Sequence, residues 1–416
     1  MKVRFRVQFF GSILAAVMLL LPVCCSAGTD WKQDSLLTNE VARVKAELPK
    51  MLGYPMNERG MLDSFYAWYA ASGLSRISLN NAGSPYDKPH GAFQIMAVER
   101  AVLDFFAPFY GFSTDEVWGL VTSGGTDGNN HGIYFGAKCL QSQTGKLPVV
   151  YVSEESHYSN KRLADLQNLE VRLIKCNKWG DMLPEDFKAK LDPSRPALVV
   201  FSMGTTFKGG VDDQAAINAI IKKVNPVAVY RHVDAALYGG YIPFSKFSRM
   251  TDRRVNHYDS IAISGHKFFG IDEPCGLFFT TKTILDRQKG YNPGYLDGSM
   301  PMIACSRSAL NPLKFYWITK EYGEKGFRAQ SKSLLENAAY LKKQMDKLGW
   351  PAWLRKASNT VFFKRPSAHI MHKYTLAPEY DDRFGGELAH VVVMQHCDKK
   401  LLDEFLADLA AEMKKK

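Results

Sequence analysis

The sequence has few cysteines, and their spacing excludes two common kinds of stabilising site. Of the seven cysteines in 416 residues, Cys24 and Cys25 lie near the amino terminus. The other five are odd in number and widely separated, so they match neither the paired spacing of a zinc site nor a dense disulfide framework. We expect buried thiols with at most one disulfide, no metal ion, and a fold that is stabilised by its hydrophobic core.

The chain also lacks linkers, repeats and a basic stripe. No Gly/Ser-rich or Pro-rich tract and no internal repeat interrupts it, and charges of both signs are mixed along its length. The formal net charge is +11 at pH 7, but the basic residues are scattered and not interleaved with aromatic residues, which argues against nucleic-acid binding. With 46% hydrophobic residues, a chain of this length can bury a large core and form two or three domains.

Long hydrophobic runs are absent except for a short one at the amino terminus. Three basic residues precede an apolar run at positions 13–21, and the small residues Ser26 and Ala27 follow it. This pattern is typical of a secretory signal peptide. The run is much shorter than the roughly 20 apolar residues that span a membrane, and the residues before Cys24 and Cys25 suit lipid attachment poorly. A cleaved signal is therefore favoured over a membrane anchor or a lipid anchor.

We predict cleavage of the segment 1–27 after Ala27 and export to the periplasm or the medium, without stable insertion in the membrane. The mature chain would begin at Gly28. Loss of three basic residues would lower the formal net charge from +11 to +8, so a basic surface would remain.

Between residues 115 and 280, short apolar or β-branched runs alternate with segments of helical length. This alternation is the pattern of a mostly parallel sheet that is covered by helices, and it predicts an α/β fold. The predicted strands are 118–122, 148–152, 171–175, 198–203, 227–233, 259–264 and 276–280.

After residue 310 the pattern changes to a long helical stretch, two strands and a final amphipathic helix. The strands are predicted at 360–364 and 389–395, and the helix at 399–413, where apolar residues recur at helical spacing. This indicates a small α+β domain at 311–416 beside a large cofactor-binding domain at 76–310. The segment 28–75 is predicted to be helical and to form an oligomer contact.

Polar residues cluster at the ends of four predicted strands, where open α/β sheets form their ligand crevice. The first cluster is a Gly-rich turn at 124–129 that enters a helix, and its backbone N–H groups would suit a phosphate. A tight turn capped by Thr126 or Asp127 explains the same residues equally well. The other clusters lie at 156–158, 232–236 and 264–267.

Asp234 and Lys267 follow two successive predicted strands, so both side chains are expected at the same edge of the sheet. A carboxylate can keep a pyridinium nitrogen protonated and a lysine amine can condense with an aldehyde. Together they are the minimum equipment of a pyridoxal-phosphate site. A buried Asp–Lys ion pair without a cofactor is the alternative. His157, taken alone, would more often be a structural or surface histidine.

Five motifs occur in a characteristic order, including Ser-Gly-Gly-Thr-Asp-Gly-Asn and Ser-Gly-His-Lys. They lie at 122–129, 153–159, 204–213, 232–237 and 264–267, and related segments lie at 80–85, 358–363 and 389–394. Together they resemble the group II pyridoxal-phosphate decarboxylases, and most closely the branch of histidine and serine decarboxylases. The resemblance covers nearly the whole mature chain. It implies the aspartate-aminotransferase type of fold (fold type I) and a homodimer with active sites at the subunit interface.

The resemblance also implies a role for each motif residue. Lys267 would carry pyridoxal 5′-phosphate as an imine, Asp234 would hold the ring nitrogen of the cofactor, and His157 would stack on its ring. The other cofactor-binding residues implied in this way are Gly125 and Thr126 at the phosphate with Ser264 and His266 nearby, Thr205 or Thr206 beside the cofactor, and Ala236.

The implied activity is decarboxylation of an amino acid to the amine and CO₂, with histidine favoured as the substrate. A tyrosine on the loop after the lysine, Tyr291 or Tyr295, would return the proton to the substrate carbon, and an ordinary loop tyrosine is the equal alternative for both. Two other functions stay open. One is a different pyridoxal-phosphate reaction, such as decarboxylation coupled to deamination, or transamination. The other is a secreted binding protein that keeps the fold without turnover.

Two features depart from this family. Relatives carry Gly-Ser-Arg-Asn-Gly-His after the loop, whereas this chain has Cys-Ser-Arg-Ser-Ala-Leu at 305–310, so Ser306 and Arg307 are kept and Leu310 replaces the histidine. Because this segment approaches the site from the partner subunit in relatives, the change puts the identity of the substrate in doubt. The export signal is the second departure, since most relatives are cytoplasmic.

Overall fold

The computed structural model describes residues 34–60, 62–288 and 300–414. Within these ranges the chain forms thirteen strands and fourteen α-helices. The strands, in chain order, are β1 (Asn81–Ala82), β2 (Val117–Thr122), β3 (Val149–Ser153), β4 (Glu170–Ile174), β5 (Ala197–Ser202), β6 (Val229–Asp234), β7 (Ser260–Ser264), β8 (Gly276–Thr281), β9 (Ser306–Arg307), β10 (Ala352–Leu354), β11 (Thr360–Lys364), β12 (Ala377–Asp381) and β13 (Gly386–Val392). The α-helices are α1 (Ser35–Glu47), α2 (Asp63–Ala71), α3 (Met96–Phe106), α4 (Gly125–Thr144), α5 (Tyr158–Leu166), α6 (Pro184–Lys190), α7 (Gln214–Val224), α8 (Tyr238–Tyr241), α9 (Arg253–Asn256), α10 (Lys282–Arg287), α11 (Leu310–Glu321), α12 (Gly323–Leu348), α13 (Ala368–Lys373) and α14 (Lys399–Met413).

Seven strands form the large sheet, in the order β2-β8-β7-β6-β5-β3-β4. Neighbouring strands from β4 to β7 pair in parallel, and β8 is antiparallel to both β7 and β2. All seven predicted strands are present within two residues of their predicted ends, and the mostly parallel α/β fold is confirmed. Every residue of β2, β3, β5, β7 and β8 is buried, which explains why their sequences are nearly continuous apolar runs.

Helix α4 packs closely against the large sheet because glycines face the strands. A Cβ atom at Gly132 would lie 2.2 Å from the His232 ring, and one at Gly128 would lie 2.8 Å from the Cβ of Ala262. Any side chain at these positions would push the helix away from the sheet, so glycine allows the close approach. The first residue of α4, Gly125, is thereby held next to the end of β7, where its own Cβ would lie 2.4 Å from the Ser264 Oγ.

Four strands form a small antiparallel sheet, in the order β10-β11-β13-β12. The predicted strand 360–364 and the predicted helix 399–413 have the bounds of β11 and α14, whereas the second strand runs from Gly386 to Val392 rather than over 389–395. Neither β10 nor β12 was predicted. Strand β12 lies at the sheet edge and contains Pro378 and several exposed residues, so it lacks the alternating apolar pattern of a half-buried strand.

The chain divides into two compact units, Met1–Pro49 and Lys50–Lys416, and both sheets belong to the second unit. In the first unit, the Asp34 carboxylate caps α1 by accepting a hydrogen bond of 2.9 Å from the Leu37 N–H. Apolar side chains of α1, including Leu36 and Val41, are exposed. The predicted signal segment 1–27 lies outside the described residues, and the domain boundaries at 75 and 310 stay predictions.

All five cysteines of the described residues are free thiols. Four are buried, but Cys305 is exposed, so the expectation of buried thiols is wrong at this position. The reason is that residues 303–306 are largely at the surface and only Arg307 of β9 turns into the protein. In the described part of the chain, no helix is long and apolar enough to cross a membrane, and no cluster of His, Cys, Asp and Glu could hold a metal ion.

Candidate active site

A cavity of about 570 Å³ lies at the carboxyl ends of β5, β6 and β7, and strands β12 and β13 of the small sheet complete its wall. Residues Tyr291 and Tyr295 lie outside the described residues. Every predicted site residue that the structure describes lines this one cavity: Gly125, Thr126, His157, Thr205, Thr206, Asp234, Ala236, Ser264, His266 and Lys267.

Lys267 lies shortly after the end of β7 and lines the cavity. Its Nζ forms no hydrogen bond or ion pair with any residue that the structure describes, and in particular none within 4.0 Å with Asp234. Burial lowers the pKa of the Lys267 ammonium, and the nearby Asp234 carboxylate opposes this shift. The direct Asp–Lys ion pair, which was the alternative interpretation, is therefore absent among the described residues. The lowered pKa favours the neutral form of the Lys267 amine.

Asp234 is the last residue of β6 and is almost fully buried. Its Oδ1 accepts a hydrogen bond of 3.2 Å from the Ala236 N–H, and its Oδ2 accepts one of 2.9 Å from the Asn160 Nδ2. Lys and Arg residues of the described ranges make no ion pair with it. The carboxylate is thus fixed in orientation by neutral donors and keeps its charge available for a cation in the cavity.

His157 caps the amino terminus of α5. Its Nδ1 accepts a hydrogen bond of 3.3 Å from the Ser159 N–H and lies 2.7 Å from the Ser159 Oγ, so the proton of the neutral ring belongs on Nε2. Burial lowers the pKa of His157, with a smaller opposing effect of Asp234 and a smaller reinforcing effect of Lys267. A neutral, flat imidazole therefore faces the cavity.

The Gly-rich turn also lines the cavity. Gly124 has a φ of +149°, a conformation that favours glycine, and the Thr122 Oγ1 donates a hydrogen bond of 2.9 Å to the Gly124 carbonyl. Ser123 donates to the Asp127 carboxylate through its N–H at 2.9 Å and its Oγ at 3.1 Å. These contacts fix the start of α4, a helix of 20 residues whose first N–H groups and positive dipole end suit an anion.

Comparison with known proteins places the chain in a family. Residues 136–353 match the family described as the pyridoxal-dependent decarboxylase conserved domain. Histidine decarboxylase of Solanum lycopersicum is 31% identical over 389 residues, which cover 91% of this chain and 89% of the relative. Serine decarboxylase 1 of Oryza sativa subsp. japonica is 33% identical over 365 residues, which cover 86% of this chain and 71% of the relative. This chain belongs to the pyridoxal-dependent decarboxylases.

The fold of this decarboxylase has a close counterpart among solved structures. L-methionine decarboxylase from Streptomyces sp. 590 superposes with a TM-score of 0.76 at 22% sequence identity, over 90% of this chain and 94% of that chain. The predicted fold type is therefore confirmed. The protein is a carboxy-lyase that acts on an amino acid with pyridoxal 5′-phosphate as cofactor. Its relatives include both histidine and serine decarboxylases, so family membership leaves the substrate open.

The cavity of the decarboxylase fits this cofactor. A phosphate suits the N–H groups at the start of α4, where a side chain at Gly125 would fill the space. An aldehyde suits the unpartnered Nζ of Lys267, and a pyridinium nitrogen suits the Asp234 carboxylate. The Ser202 Oγ also lines the cavity and is buried without a hydrogen-bond partner among the described residues, which leaves one more polar atom for a bound molecule.

Several cavity residues had no role in the sequence analysis. Glu379 of β12 and His390 of β13 form the wall of the small sheet, and Asn160 lies behind Asp234. The His390 Nδ1 lies 3.0 Å from the Phe207 carbonyl and its Nε2 lies 2.9 Å from the Gly53 carbonyl. His390 belongs to one of the segments that carry the family resemblance, but Glu379 lies in an unpredicted strand. A lone Asn on a helix carries no signal of its own.

A cluster of four charged side chains, the Lys208 cluster, joins the cavity loops to the small sheet. The Lys208 Nζ lies 2.7 Å from Glu155 and 2.6 Å from Asp381, and Arg383 lies 2.6 Å from Glu155 and 2.8 Å from Asp381. Only 3% of the Lys208 side chain is exposed. Although burial acts to raise it, the contacts with Arg383 and Lys208 hold the pKa of Asp381 well below its usual range. The cluster thereby ties the segment that precedes His157 to the end of β12.

Arg307 has a structural role in its own subunit. Its guanidinium forms a buried ion pair with Glu99 and donates hydrogen bonds of 3.0 Å to the Gly83 carbonyl and 3.3 Å to the Val121 carbonyl. Glu99 also accepts a hydrogen bond of 2.9 Å from the Val121 N–H. Arg307 therefore braces β2 just before the Gly-rich turn, with its Nη1 and Nη2 atoms bound to Glu99 and to backbone carbonyls.

Proposed function

We propose that this enzyme decarboxylates L-histidine, with Lys267 holding pyridoxal phosphate and Asp234 and His157 bracketing its ring. The observation that supports the site assignment is the convergence of all ten described candidate residues on one cavity, with the Lys267 Nζ left unpartnered. Residues from distant motifs meet at the carboxyl ends of parallel strands, where ligands of open α/β sheets bind.

Each side chain then has a defined task. When bound, the cofactor supplies an electron sink for the bond to the substrate carboxylate. Asp234 offers a fixed negative charge to the ring nitrogen and acts by electrostatic preorganisation. Burial lowers the pKa of Lys267, which favours the neutral amine that attachment requires. The neutral ring of His157 covers the flat face of the cofactor without adding a positive charge beside Lys267.

The preference for histidine rests on the charge of the small-sheet wall. Two carboxylates line the cavity within the described ranges, Asp234 and Glu379. Asp234 is engaged by two donors, whereas Glu379 is exposed on the edge strand β12. Its carboxylate can accept a hydrogen bond from an imidazole N–H and attract an imidazolium, which the thioether of methionine cannot offer. The resemblance to histidine decarboxylases supports the same choice.

Serine is the second candidate, because a serine decarboxylase shares 33% identity with this chain and Leu310 replaces the histidine of the family pattern. The test is release of CO₂ from a panel of L-amino acids, with the organic product identified. We expect histamine from histidine at the highest kcat/KM. A higher value for serine would overturn the histidine proposal and leave the decarboxylase intact, whereas an aldehyde or keto acid as main product would contradict simple decarboxylation.

A paired variant tests the role of Glu379. Glu379→Gln keeps the size of the side chain and removes its charge, so kcat/KM for histidine should fall about tenfold while that for serine changes little. Glu387→Gln, an exposed carboxylate on β13 that pairs with Arg365, is the matched control and should alter neither value. An equal fall for both amino acids would show that Glu379 does not select the substrate.

The proposal extends to export and assembly. The segment 1–27 would direct the chain out of the cytoplasm, and two mature chains would form a homodimer. The support is the pattern of basic, apolar and small residues at the amino terminus and the resemblance to dimeric decarboxylases.

A further inference from the structure

Asn160 is a buried amide directly behind the proposed ring-nitrogen site. It lies in the first turn of α5, its backbone N–H donates 3.0 Å to the His157 carbonyl, and the residue is fully buried. Its partner Asp234 lies 74 positions further along the chain. The start of α5 therefore carries both His157, which is proposed to face the cofactor ring, and Asn160, which contacts the Asp234 carboxylate.

The amide is fixed in one orientation. Its Nδ2 donates hydrogen bonds of 2.9 Å to the Asp234 Oδ2 and 2.9 Å to the Ser156 Oγ, so both amide hydrogens are used. A flipped amide would place its oxygen against the carboxylate, two acceptors facing one another. The Oδ1 is buried without a partner among the described residues, an arrangement that costs stability. The Asn160 side chain therefore acts in the site through its Nδ2 donor, not through its Oδ1 acceptor.

An uncharged hydrogen-bond donor is the kind of group that suits the position beside the Asp234 Oδ2. A hydrogen bond donated to a carboxylate stabilises its ionised form and fixes its plane. A lysine here would also do so, but its positive charge would cancel the attraction of Asp234 for a protonated ring nitrogen. An apolar side chain would leave the Oδ2 of Asp234 buried with one donor fewer. An uncharged donor fixes the carboxylate and leaves its charge uncancelled for the ring nitrogen.

We propose that Asn160 is a positioning residue that holds the Asp234 carboxylate oriented toward the ring nitrogen of the cofactor. The inference rests on the proposed role of Asp234 and adds a second residue through which that role operates. Asn160 itself touches neither substrate nor cofactor in this scheme, so its effect must pass through Asp234.

The test uses two substitutions that keep the branched shape of the side chain. Asn160→Leu removes both polar atoms, and Asn160→Asp keeps the shape but removes the amide donor. We expect each to raise the Kd for pyridoxal phosphate about tenfold and to lower kcat about tenfold with KM nearly unchanged. The pH titration of the absorbance of the bound cofactor should also shift, which a loss of packing alone would not produce. Ser156→Ala removes the other partner of the amide and should change these quantities no more than about twofold.

A double-mutant cycle with Asp234→Asn separates the possible failures. Asp234→Asn alone should lower kcat about 100-fold, and adding Asn160→Leu to it should have little further effect on kcat or on Kd, because the two residues act as one unit. Additive effects of the two changes would overturn the role of Asn160 and leave that of Asp234 standing. Near-normal kcat in Asp234→Asn would overturn both. If Asn160→Leu does not fold, as judged by circular dichroism, Asn160→Ala, which removes the amide without adding a charge beside Asp234, carries the cycle alone.

Discussion

Two influences act on the pKa of the Lys267 side chain in opposite directions. Burial lowers it and the charge of Asp234 raises it, with burial the larger effect. The residue therefore combines a tendency to lose its proton with the absence of any hydrogen-bonding partner in the described ranges. Lys208 is also buried, but its Nζ forms ion pairs with two carboxylates, as is usual for a structural buried lysine. At the scale of single residues, this contrast distinguishes a reactive amine from a stabilising one.

Lys267→Ala should abolish covalent attachment of the cofactor and lower kcat by at least about 10⁴-fold, because no other amine lines the described part of the cavity. Borohydride reduction followed by peptide mapping locates the attached lysine. Lys332→Ala, on an exposed side chain of α12, is the control and should keep both attachment and activity. A label on a lysine other than Lys267 would disprove the assignment.

His157→Phe should change the pH dependence of cofactor binding. Because burial lowers the pKa of His157, its ring is neutral above pH 6.5 and gains a proton only below this value. An imidazolium would repel a protonated pyridine ring, so we expect the affinity for the cofactor to fall as the pH drops below this lowered pKa. Phenylalanine keeps the flat contact and cannot titrate, so this acid limb should be absent. Titration of the apoenzyme with pyridoxal phosphate from pH 5 to pH 8 measures both; identical curves would rule out stacking by a titrating His157.

The sequence is informative about single residues when they stand in motifs and uninformative when they do not. Lys267 and Asp234 were predicted because each follows a predicted strand, and the role of His157 came from the family motif that contains it. Asn160 gave no signal, since an asparagine near a helix start is commonly a cap and its real partner is Asp234, far away in the chain. Glu379 was missed for a different reason, because the strand that presents it was not predicted.

At the scale of elements, the Lys208 cluster joins three chain segments that line or flank the cavity. Glu155 follows β3, Lys208 lies between β5 and α7, and Asp381 ends β12. The edge strand β12 has few apolar residues of its own to hold it, since three of its five residues are exposed. Its position over the cavity therefore depends on pairing with β13 and on these ion pairs.

Lys208→Met should lower the free energy of unfolding by about 3–5 kcal/mol, because it leaves the buried Asp381 and the partly buried Glu155 with Arg383 as their remaining partner. It should also raise KM, since the wall that carries Glu379 loses an anchor. Urea denaturation of the apoenzyme gives the first value and steady-state kinetics the second. Arg365→Met removes a more exposed ion pair of the same sheet and should cost no more than about 1 kcal/mol. Equal losses in the two variants would contradict a special role for the cluster.

The strands and helices that were predicted correctly share one property: the hydrophobic pattern that identifies each of them lies within its own sequence. Five of the seven strands of the large sheet are fully buried, mostly apolar runs, and α14 repeats its apolar residues at helical spacing. Strand β12 has no such pattern. It is extended because Ala377 to Asp381 pair with β13, a neighbour that propensity at the level of one segment does not reveal.

At the scale of the whole molecule, the cavity lies between a large sheet from the middle of the chain and a small sheet from its carboxyl-terminal part. Asp234 and Lys267 belong to the large sheet, and Glu379 and His390 to the small one. The cofactor end of the cavity was foreseeable from the sequence, because its residues follow successive strands of one sheet. The substrate end depends on how a second sheet is placed, which no local pattern specifies.

The export proposal is tested on the native protein. We expect the mature chain to begin at or near Gly28 and to be recovered outside the cytoplasm as a dimer that retains the cofactor. Amino-terminal sequencing of cell fractions and light scattering measure these properties. A cytoplasmic species with an intact Met1 would refute export without touching the catalytic assignment, and a monomer with full activity would refute the homodimer.

Because α4 packs so closely on the large sheet, residues that do not contact the cofactor also affect cofactor binding. Gly132 lies two helical turns from the phosphate end of α4, and a single added methyl group there would collide with the His232 ring. Because a helix moves as a rigid rod, relief of that collision would displace its first N–H groups as well. Substitutions on the sheet-facing side of α4, far from the cofactor itself, would therefore weaken binding of the vitamin-derived cofactor before they unfold the chain.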